Sequence, residues 1–360
     1  MLYYIEMYDS PEVHPMNIII DAMGGDNAPL EVLKGAVKAR ADFGVEITLV
    51  GDKKVIQACA KENGLDLSGL QIRHAETVID VCEDPLEILK KKKDCSMAVG
   101  MRMLADGQGD AFLSAGSTGA LVVGGTMIVG RIKGVKRPAI ATVMPTTDQP
   151  VMLLDCGANA ECRPEMLTQF AVMGSAYMNK ILHVDSPRVG LVNIGTEESK
   201  GRGVDKDAYK QLSSAPIRFI GNIEARQIPM GDADVVVTDG FTGNVLLKMC
   251  EGMAGFFSSE LKRNLSSGLR NKLGAALVMP AIRGLKKKFD YSEYGGSPLL
   301  GTAKPVIKAH GSSDAKAFYH AVKQAKDFTE TGVIEKIAGA FADTKEGWFK
   351  KALQSVPWMN

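Results

Sequence analysis

Short apolar runs alternate along the chain with loops of glycine and small polar residues. Runs such as 18–20 and 235–237 contain only isoleucine or valine, which is typical of strands buried on both faces of a sheet. A helical pattern follows most of the loops, as at residues 31–41 after the first one. This alternation predicts an α/β fold with a mostly parallel sheet that is covered by helices on both faces.

Polar loops stand where the predicted strands end. In an open α/β sheet, ligands bind beyond the carboxyl ends of the strands. Glycine lets backbone N–H groups approach a ligand, and the helix start behind the loop favours anions. We therefore expect one large site for a phosphate-like or oxyanionic ligand. Its five loops are 21–29, 114–119, 155–159, 193–201 and 239–244, and a sixth lies at 310–314.

The alternation runs from residue 17 to about 342 without a proline- or serine-rich linker, which predicts one domain over 17–342. Residues 1–16 lack the basic start and apolar core of a signal peptide, so we interpret them as a disordered or non-native leader. Residues 343–360 form a C-terminal tail. No apolar run approaches the ~20 residues that a membrane-spanning helix needs.

One segment departs from the alternation and predicts an inserted helical hairpin over about 255–295. Leucines recur every fourth residue from Leu265 to Leu277, which marks one face of a helix. Pro280 should break the helix, and the basic residues 286–288 follow. We expect an apolar tip that enters an anionic membrane surface. The tip residues are Leu277, Val278, Met279 and Ile282.

The net charge of +1 argues against nucleic acid as an obligate partner. The six cysteines show neither paired CxxC motifs nor zinc-like spacing, which indicates small buried side chains in a reducing cytosol. Asp155 should raise the pKa of the neighbouring Cys156 rather than activate its thiol. The five histidines are scattered, and the sequence predicts no metal site.

Familiar catalytic motifs are absent. The chain has no phosphate-binding GxxxxGK[ST] loop, and the surroundings of Ser117 do not match the nucleophile elbow GxSxG. Acidic residues at strand ends could bind a metal, but we favour a role in capping helices and bracing loops. Lys200 is a cation on a strand-end loop, and Asn159, Asn193 and Asn244 carry amides that can donate to an oxyanion.

The sequence closely resembles the bacterial phosphate acyltransferases of phospholipid synthesis (acyl-[acyl-carrier-protein]:phosphate acyltransferases). The shared motifs cover nearly all of residues 17–342 in the order of that family. Ser117 stands where the family usually has asparagine, and Cys156 where it has an aliphatic residue. The motifs include IIIDAMGGDNAP (18–29), SAGSTGAL (114–121), GRIKGVKRPA (130–139), LLDCGAN (153–159), VGLVNIGTEESKG (189–201), VVVTDGFTGNVLLK (235–248) and VIKAHGSSDAKA (306–317).

The resemblance implies a reaction in which inorganic phosphate attacks the thioester of a long-chain acyl group on acyl carrier protein. It implies a three-layer αβα fold of the phosphotransacetylase-like (isopropylmalate dehydrogenase-like) type, a homodimer, and no metal or organic cofactor. Lys200 and Asn244 match the lysine and asparagine of the family motifs, and we assign the chemistry to them. Residues expected to bind substrate or phosphate are Asp21, Gly24, Gly25, Asp26, Asn27, Ser114, Ser117, Thr118, Asn159, Asn193, Gly195, Asp239, Gly243, His310 and Ser312.

Acyl carrier protein is acidic in general, so a basic cluster should attract it by charge steering. The candidate docking residues are Arg131, Lys133, Lys136 and Arg137. The acyl phosphate product is amphiphilic and must reach a membrane glycerol-phosphate acyltransferase. We therefore expect a cytoplasmic protein that associates peripherally with the inner face of the cell membrane.

Three other functions compete with this one. A short-chain phosphate acetyl- or butyryltransferase that uses coenzyme A shares the fold and the chemistry, but the apolar hairpin and the motif set argue against it. A dehydrogenase of the related fold would need a nicotinamide site and metal-binding aspartates, and no convincing set is present. A non-catalytic membrane scaffold should have lost the polar loop residues, which this chain retains.

Overall fold

The computed structural model describes residues 15–288 and 295–342. Over this part of the chain, eleven strands form a single sheet in the order β3-β2-β1-β4-β11-β10-β5-β6-β9-β7-β8. The strands are β1 (Asn17–Asp21), β2 (Glu46–Gly51), β3 (Gln71–His74), β4 (Ala111–Ser114), β5 (Ala139–Met144), β6 (Val151–Leu154), β7 (Arg188–Asn193), β8 (Arg218–Glu224), β9 (Val235–Val237), β10 (Ser297–Leu300) and β11 (Val306–Lys308).

Helices cover both faces of the sheet because its central strands are apolar on both sides. In β1, Ile18 and Ile20 belong to one core and Ile19 to the other, as the alternation of side chains along a strand requires. This confirms the predicted three-layer α/β/α arrangement. The helices are α1 (Leu30–Phe43), α2 (Lys53–Glu62), α3 (Ser96–Ala105), α4 (Thr118–Gly124), α5 (Pro164–Ile181), α6 (Gly203–Ser213), α7 (Gly240–Ser266), α8 (Gly268–Lys288), α9 (Ala315–Glu330) and α10 (Val333–Ala342).

The sheet consists of two parallel halves that run in opposite directions. Strand β10 pairs antiparallel with both β11 and β5, and β5 pairs antiparallel with β6. The strands from β3 to β11 therefore point one way, and those from β6 to β8 point the other way. This reversal was not predicted, but it does not separate the polar loops. Lys308 at the end of β11 pairs with Ser297, whose hydroxyl lies 2.8 Å from that of Thr142, and Leu154 at the end of β6 pairs with Ala141. The carboxyl ends of the two halves therefore lie at a similar level along the sheet.

Helix α7 connects the two groups of loops. It begins directly after β9, and its first turn packs so tightly on the loop after β6 that a Cβ on Gly243 would lie 1.9 Å from the Asp155 carbonyl oxygen. About one turn further on, the Lys248 ammonium lies 3.3 Å from Nε2 of His310, in the loop after β11. The first turns of α7 thus lie between the polar loops of both halves.

The predicted corner at Pro280 is wrong. Helix α8 continues through Pro280, and the chain turns instead at Ser267 and Gly268, where Gly268 adopts a φ of +81° that favours glycine. Leu265 consequently belongs to α7, whereas Leu277 lies in the middle of α8. A proline removes one helical hydrogen bond, which here does not end the helix. The apolar residues expected at a tip form part of a helix face.

The domain boundaries need one correction. Met16 packs against the core, and its carbonyl accepts the backbone N–H of Glu46 at 2.8 Å, so Met16 belongs to the fold. Residues 1–14 of the expected leader, the end of the predicted insertion (289–294) and the predicted tail (343–360) lie outside the described residues. Among the helices that the structure describes, none is long and apolar enough to cross a membrane.

Candidate active site

Asp21 and Ser114 fix the loops that follow β1 and β4. The Ser114 hydroxyl donates to the Asp21 carboxylate at 2.7 Å and accepts the Gly116 backbone N–H at 3.0 Å. Burial raises the pKa of Asp21, while hydrogen bonds from the Ser96 and Ser114 hydroxyls oppose this effect. A Cβ on Gly24 would lie 2.7 Å from the same carboxylate. Asp21, Ser114 and Gly24 therefore brace these loops from within.

The loop after β1 also meets the loop after β11. The Asp26 backbone N–H donates to the Gly311 carbonyl at 2.8 Å, and the Asn27 amide donates to the Ser312 carbonyl at 3.2 Å. Gly25 has a φ of +104° at this contact, a conformation that glycine adopts without strain. The structure thus brings these predicted residues together, with the Asp26 side chain exposed beside Gly311.

Ser117 and Thr118 stand at the start of α4. Ser117 is buried and caps the helix, since its hydroxyl accepts the Ala120 backbone N–H at 3.4 Å. Thr118 is exposed. The serine that replaces the usual asparagine therefore has a local structural role in this chain.

Lys308 at the end of β11 is a site residue that the sequence reasoning missed. Its ammonium donates to the carbonyls of Ala115 and Ala309. Burial lowers the pKa of Lys308 to about 8, and the nearby charge of Lys248 adds to this effect. The motif VIKAHGSSDAKA contained the signal, because Lys308 is the last residue of its strand and precedes a polar loop.

His310 lies between a hydroxyl and a second lysine. Its Nδ1 is 2.8 Å from Oγ of Ser312, and its Nε2 is 3.3 Å from Nζ of Lys248. Burial lowers the pKa of His310, and Lys248 and Lys308 lower it further, whereas Glu251 and Asp26 oppose them. His310, Ser312 and Lys248 thus form one chain of contacts. The sequence predicted the first two as site residues but did not predict Lys248.

The loop after β6 is held by a buried carboxylate. Asp155 accepts the backbone N–H groups of Ile140 and Ala158, each at 3.0 Å, and that of Asn159 at 2.6 Å. The Asn159 amide donates to Asp155 at 2.9 Å and to the Pro138 carbonyl at 2.8 Å. Because both partners lie inside the protein, Asn159 does not fit its predicted role as a donor to an oxyanion.

The loop after β7 is anchored at both ends. The Asn193 amide donates to the Lys200 carbonyl at 3.2 Å, so Asn193 also braces a loop instead of facing a ligand. A Cβ on Gly195 would lie 3.1 Å from Cγ of Lys200. Arg202 donates to Asp239 at 2.7 Å, which ties this loop to the first turn of α7. Arg202 is a further residue that the sequence reasoning missed.

Asp239 caps α7 by accepting the Thr242 backbone N–H at 2.7 Å. Burial alone would raise the pKa of Asp239, but the hydrogen bonds from Thr242 and Arg202 outweigh it and lower the pKa. Asp239, which the sequence also offered as a substrate-binding residue, thus has its carboxylate held by internal partners.

Asn244 and Lys200 present polar groups to the solvent. Asn244 is exposed on the first turn of α7, and its side chain lies about 4 Å from the position of a Cβ on Gly157. Lys200 is also exposed. Within residues 15–288 and 295–342, neither the Asn244 amide nor the Lys200 ammonium forms a hydrogen bond or ion pair with the protein. An amide donor and a cation are therefore available to a ligand here.

The four basic residues of the predicted docking cluster are exposed, but one of them, Arg131, forms hydrogen bonds within its own loop. Arg131 donates to the carbonyls of Val135 and Lys136, so its guanidinium holds its own loop. The side chains of Lys133, Lys136 and Arg137 are exposed. These three residues carry the positive charge that a partner could meet.

The prediction of buried cysteines holds for Cys95 and Cys156 but is wrong for Cys82 and Cys250, which are exposed. Burial, followed by the negative charge of Asp155, raises the pKa of Cys156 to about 12. Burial also raises the pKa of Cys162 to about 12. In the described part of the chain, no three histidine, cysteine or acidic side chains are grouped to hold a metal ion.

The sequence matches the family model described as "Fatty acid synthesis protein" over residues 16–336. A phosphate acyltransferase of Thermoanaerobacterium thermosaccharolyticum is 50% identical over 322 residues, which cover 89% of this chain and 96% of that protein. A phosphate acyltransferase of Bacillus licheniformis is 47% identical over 320 residues, which cover 88% and 96%.

Solved structures resemble the chain in fold. The EutD phosphotransacetylase from Staphylococcus aureus has a TM-score of 0.57 at 17% identity, over 91% of this chain and 94% of that one. A phosphotransacetylase from Streptococcus pyogenes has a TM-score of 0.56 at 18% identity, with the same coverage. The predicted phosphotransacetylase-like fold is confirmed.

Proposed function

Since the chain belongs to the phosphate acyltransferase family and is an acyltransferase, we propose that it transfers an acyl group to inorganic phosphate. The donor in this proposal is a long-chain acyl group on acyl carrier protein. The product is an acyl phosphate for glycerophospholipid synthesis. Phosphate is itself a nucleophile, so the protein has to position it and to stabilise the oxyanion that forms on the thioester carbonyl.

One observation carries the assignment of the site: an exposed amide and an exposed ammonium border the first turn of α7, in loops joined by the Arg202–Asp239 ion pair. We infer that the Asn244 amide holds the thioester oxygen as it becomes an oxyanion. Lys200 neutralises part of the phosphate charge during the attack. The start of α7 is the positive end of its helix dipole, which favours negative charge nearby.

The other predicted residues take two kinds of role in this proposal. Those with internal hydrogen bonds shape the loops, and those at the surface of the loops contact phosphate or the acyl donor. The bracing residues are Asp21, Gly24, Ser114, Ser117, Asn159, Asn193, Asp239 and Gly243. Asn27, whose amide donates to the Ser312 carbonyl, and the buried Gly195 belong with the bracing residues. The contacting residues are Gly25, Asp26, Thr118, His310 and Ser312.

Apolar surface beside the site supports a long-chain donor. Val245 and Met249 directly follow Asn244 and Lys248 on α7, and both are exposed. An acyl chain whose carbonyl lies at Asn244 would find apolar contacts along this helix, which a two-carbon acyl group does not need. The exposed charges of Lys133, Lys136 and Arg137 complement an acidic carrier protein.

We also propose that α8 associates with an anionic membrane surface. Leu277 is 83% exposed and Val278 is 47% exposed on this helix, and the basic residues 286–288 follow in the sequence. Release near lipid would pass the amphiphilic product to a membrane glycerol-phosphate acyltransferase. The exposed Phe256 and Phe257 on α7 offer apolar area for a homodimer contact.

Formation of acyl phosphate from two donors tests the function. The purified protein is incubated with phosphate and either palmitoyl-acyl carrier protein or palmitoyl-coenzyme A, and the product is trapped with hydroxylamine. We expect a much higher kcat/KM with the carrier-bound donor. Preference for acetyl- or butyryl-coenzyme A would instead establish the short-chain alternative. No phosphate-dependent product from any donor would refute acyl transfer to phosphate.

A further inference from the structure

His310 occupies a defined position among the polar groups near α7. An ammonium group has only hydrogen-bond donors, so the 3.3 Å contact with Lys248 requires Nε2 of His310 to accept. Nδ1 faces two groups of Ser312, the hydroxyl at 2.8 Å and the backbone N–H at 3.3 Å. The hydroxyl is the nearer of the two and can accept a hydrogen bond from Nδ1, so the Lys248 contact favours a neutral imidazole with an accepting Nε2.

Helix α7 places this imidazole near the proposed reaction centre. Asn244 and Lys248 are four residues apart, so they share one face of the helix and are separated by ~6 Å along its axis. His310 contacts Lys248 on that face. A thioester carbonyl at Asn244 would therefore have its attacking oxygen and its leaving sulfur within reach of the next turn, where His310 lies.

The reaction requires a proton to move. When a phosphate dianion, which still carries one O–H group, attacks the thioester, a C–O bond forms and the C–S bond breaks. The electron pair of the C–S bond leaves with sulfur as a thiolate. The phosphoryl O–H proton must be lost and the thiolate must gain one, so that the products are an acyl phosphate dianion and a neutral thiol. The transfer balances without another reactant.

We propose that His310 carries this proton, with Nε2 accepting it from the phosphoryl hydroxyl and passing it to the leaving thiolate. This role rests on the proposed function. Lys248, whose side chain is about half exposed, turns from Nε2 toward the phosphate as the substrate binds. Ser312 holds the ring through Nδ1 and is a positioning residue.

The charged groups around His310 favour the neutral ring that a proton acceptor needs. Burial and the positive charges of Lys248 and Lys308 lower the pKa of His310, while Glu251 and Asp26 act in the opposite direction. Burial and these positive charges thus favour the neutral imidazole. The second pKa of phosphate esters is about 6 and that of a thiol about 8.5, so transfer from imidazolium to the thiolate is favourable.

The test compares leaving groups. His310→Gln and the wild type are assayed with phosphate and two long-chain acyl thioesters, one of pantetheine and one of thiophenol, whose thiol is far more acidic. Loss of a general acid–base group typically costs about 10²- to 10⁴-fold in rate. We expect a loss in kcat of this size with the pantetheine ester and of less than tenfold with the thiophenol ester. His183→Gln, at a histidine after α5, is the matched control and should behave as the wild type.

Equal losses with both esters would overturn the proton role, because a structural defect does not depend on the leaving group. Unchanged kcat of His310→Gln with the pantetheine ester would overturn it as well. A drop in the solvent deuterium isotope effect on kcat should accompany the loss, and Ser312→Ala should show a weaker form of the same pattern. A wild type that forms no acyl phosphate would refute the proposed function, which is a separate outcome.

Discussion

Arg202 and Asp239 form an ion pair with a distance of 2.7 Å between Nη2 and the carboxylate. Arg202 follows the Lys200 loop, and Asp239 caps α7, so the pair joins the two segments that carry the proposed catalytic residues. Arg202 also holds Asp205 at 2.9 Å in the first turn of α6. The guanidinium is 62% exposed, whereas the carboxylate of Asp239 is nearly inaccessible. Because the Asp239 carboxylate is buried, the loss of Arg202 should destabilise the fold more than the loss of a surface ion pair does.

Arg202→Met should destabilise the fold by roughly 1 to 3 kcal/mol, because it leaves a buried carboxylate without its charged partner. The free energy of unfolding is measured by urea titration at pH 7. Arg226→Met is a suitable control, since Arg226 pairs with Glu224 while 83% exposed, and such surface pairs contribute little. Equal effects of the two substitutions would contradict the structural role of Arg202.

The same variant should show a characteristic pH dependence. The pKa of Asp239 in the folded protein is lowered from 3.8, so its ionised form stabilises the fold above that value, and this contribution is lost as the pH falls through the folded pKa. Arg202 is one cause of the lowering. The stability difference between wild type and Arg202→Met should therefore be constant near neutral pH and shrink as the pH falls toward the folded pKa of Asp239 in the wild type. A difference that grows in acid would contradict this assignment.

The sequence predicted the layers of the fold well, because residues such as Ile18, Ile19 and Ile20 are apolar on both faces of their strand. It did not predict the opposite directions of the two half-sheets. That reversal results from three antiparallel pairs, β11–β10, β10–β5 and β5–β6, and the β10–β5 pair joins segments more than 150 residues apart. Periodicity reports the local burial of a residue but carries no information on such pairing.

The site residues likewise divide into those that the local sequence revealed and those that only the tertiary packing revealed. Asn244 and Lys200 were recognisable because their loops follow strands and match family motifs. Lys248 was not, since it lies in a regular helix, and only the packing of α7 across the sheet brings it to His310. Conversely, Asn159 looked like a ligand donor in the sequence, but the burial of Asp155 beside it gives its amide internal partners.

Lys200→Ala and Asn244→Ala should each lower kcat by about a hundredfold or more, since the loss of one oxyanion donor typically costs ~3 kcal/mol. Both side chains are exposed, so the variants should fold and still bind the carrier. Acyl phosphate formation is measured with the donor that the wild type prefers. Lys206→Ala, at an exposed lysine on α6, should retain normal kcat. A folded Lys200 or Asn244 variant with near-normal kcat would remove that residue from the mechanism.

The docking proposal is tested best at residues whose side chains do not hold their own loop. Lys133→Glu combined with Arg137→Glu should raise the KM for acyl carrier protein and leave kcat nearly unchanged, because reversed charges reduce the rate of encounter. The wild type should show a KM that rises with salt. Reversal of two exposed lysines elsewhere, Lys61 and Lys210, serves as the control. An unchanged KM at low salt would exclude this patch.

Lys308 should make stability depend on alkaline pH. Its pKa is lowered from 10.5 to about 8 in the folded protein, so between these values the unfolded chain binds more protons and stability from this residue rises with pH. The difference in unfolding free energy between wild type and Lys308→Met should accordingly increase, in favour of the wild type, from pH 7 to pH 9.5. A difference that is constant or falls would show that Lys308 is not desolvated in solution.

The apolar face of α8 gives the last prediction. Replacing Leu277 and Val278 with serine removes two exposed apolar side chains whose burial in lipid would contribute roughly 2 to 4 kcal/mol. Binding to anionic vesicles, measured by co-sedimentation, should weaken at least on the order of thirtyfold, while soluble acyl phosphate formation is retained. Val81→Ser, at a residue that is 72% exposed in a loop, should bind as the wild type does.

Because hydrophobic insertion persists in salt whereas headgroup attraction is screened, the wild type should keep part of its binding in high salt. If the double variant still co-sediments fully but loses its dimer in sedimentation velocity runs, α8 packs against a second copy of the chain instead of lipid.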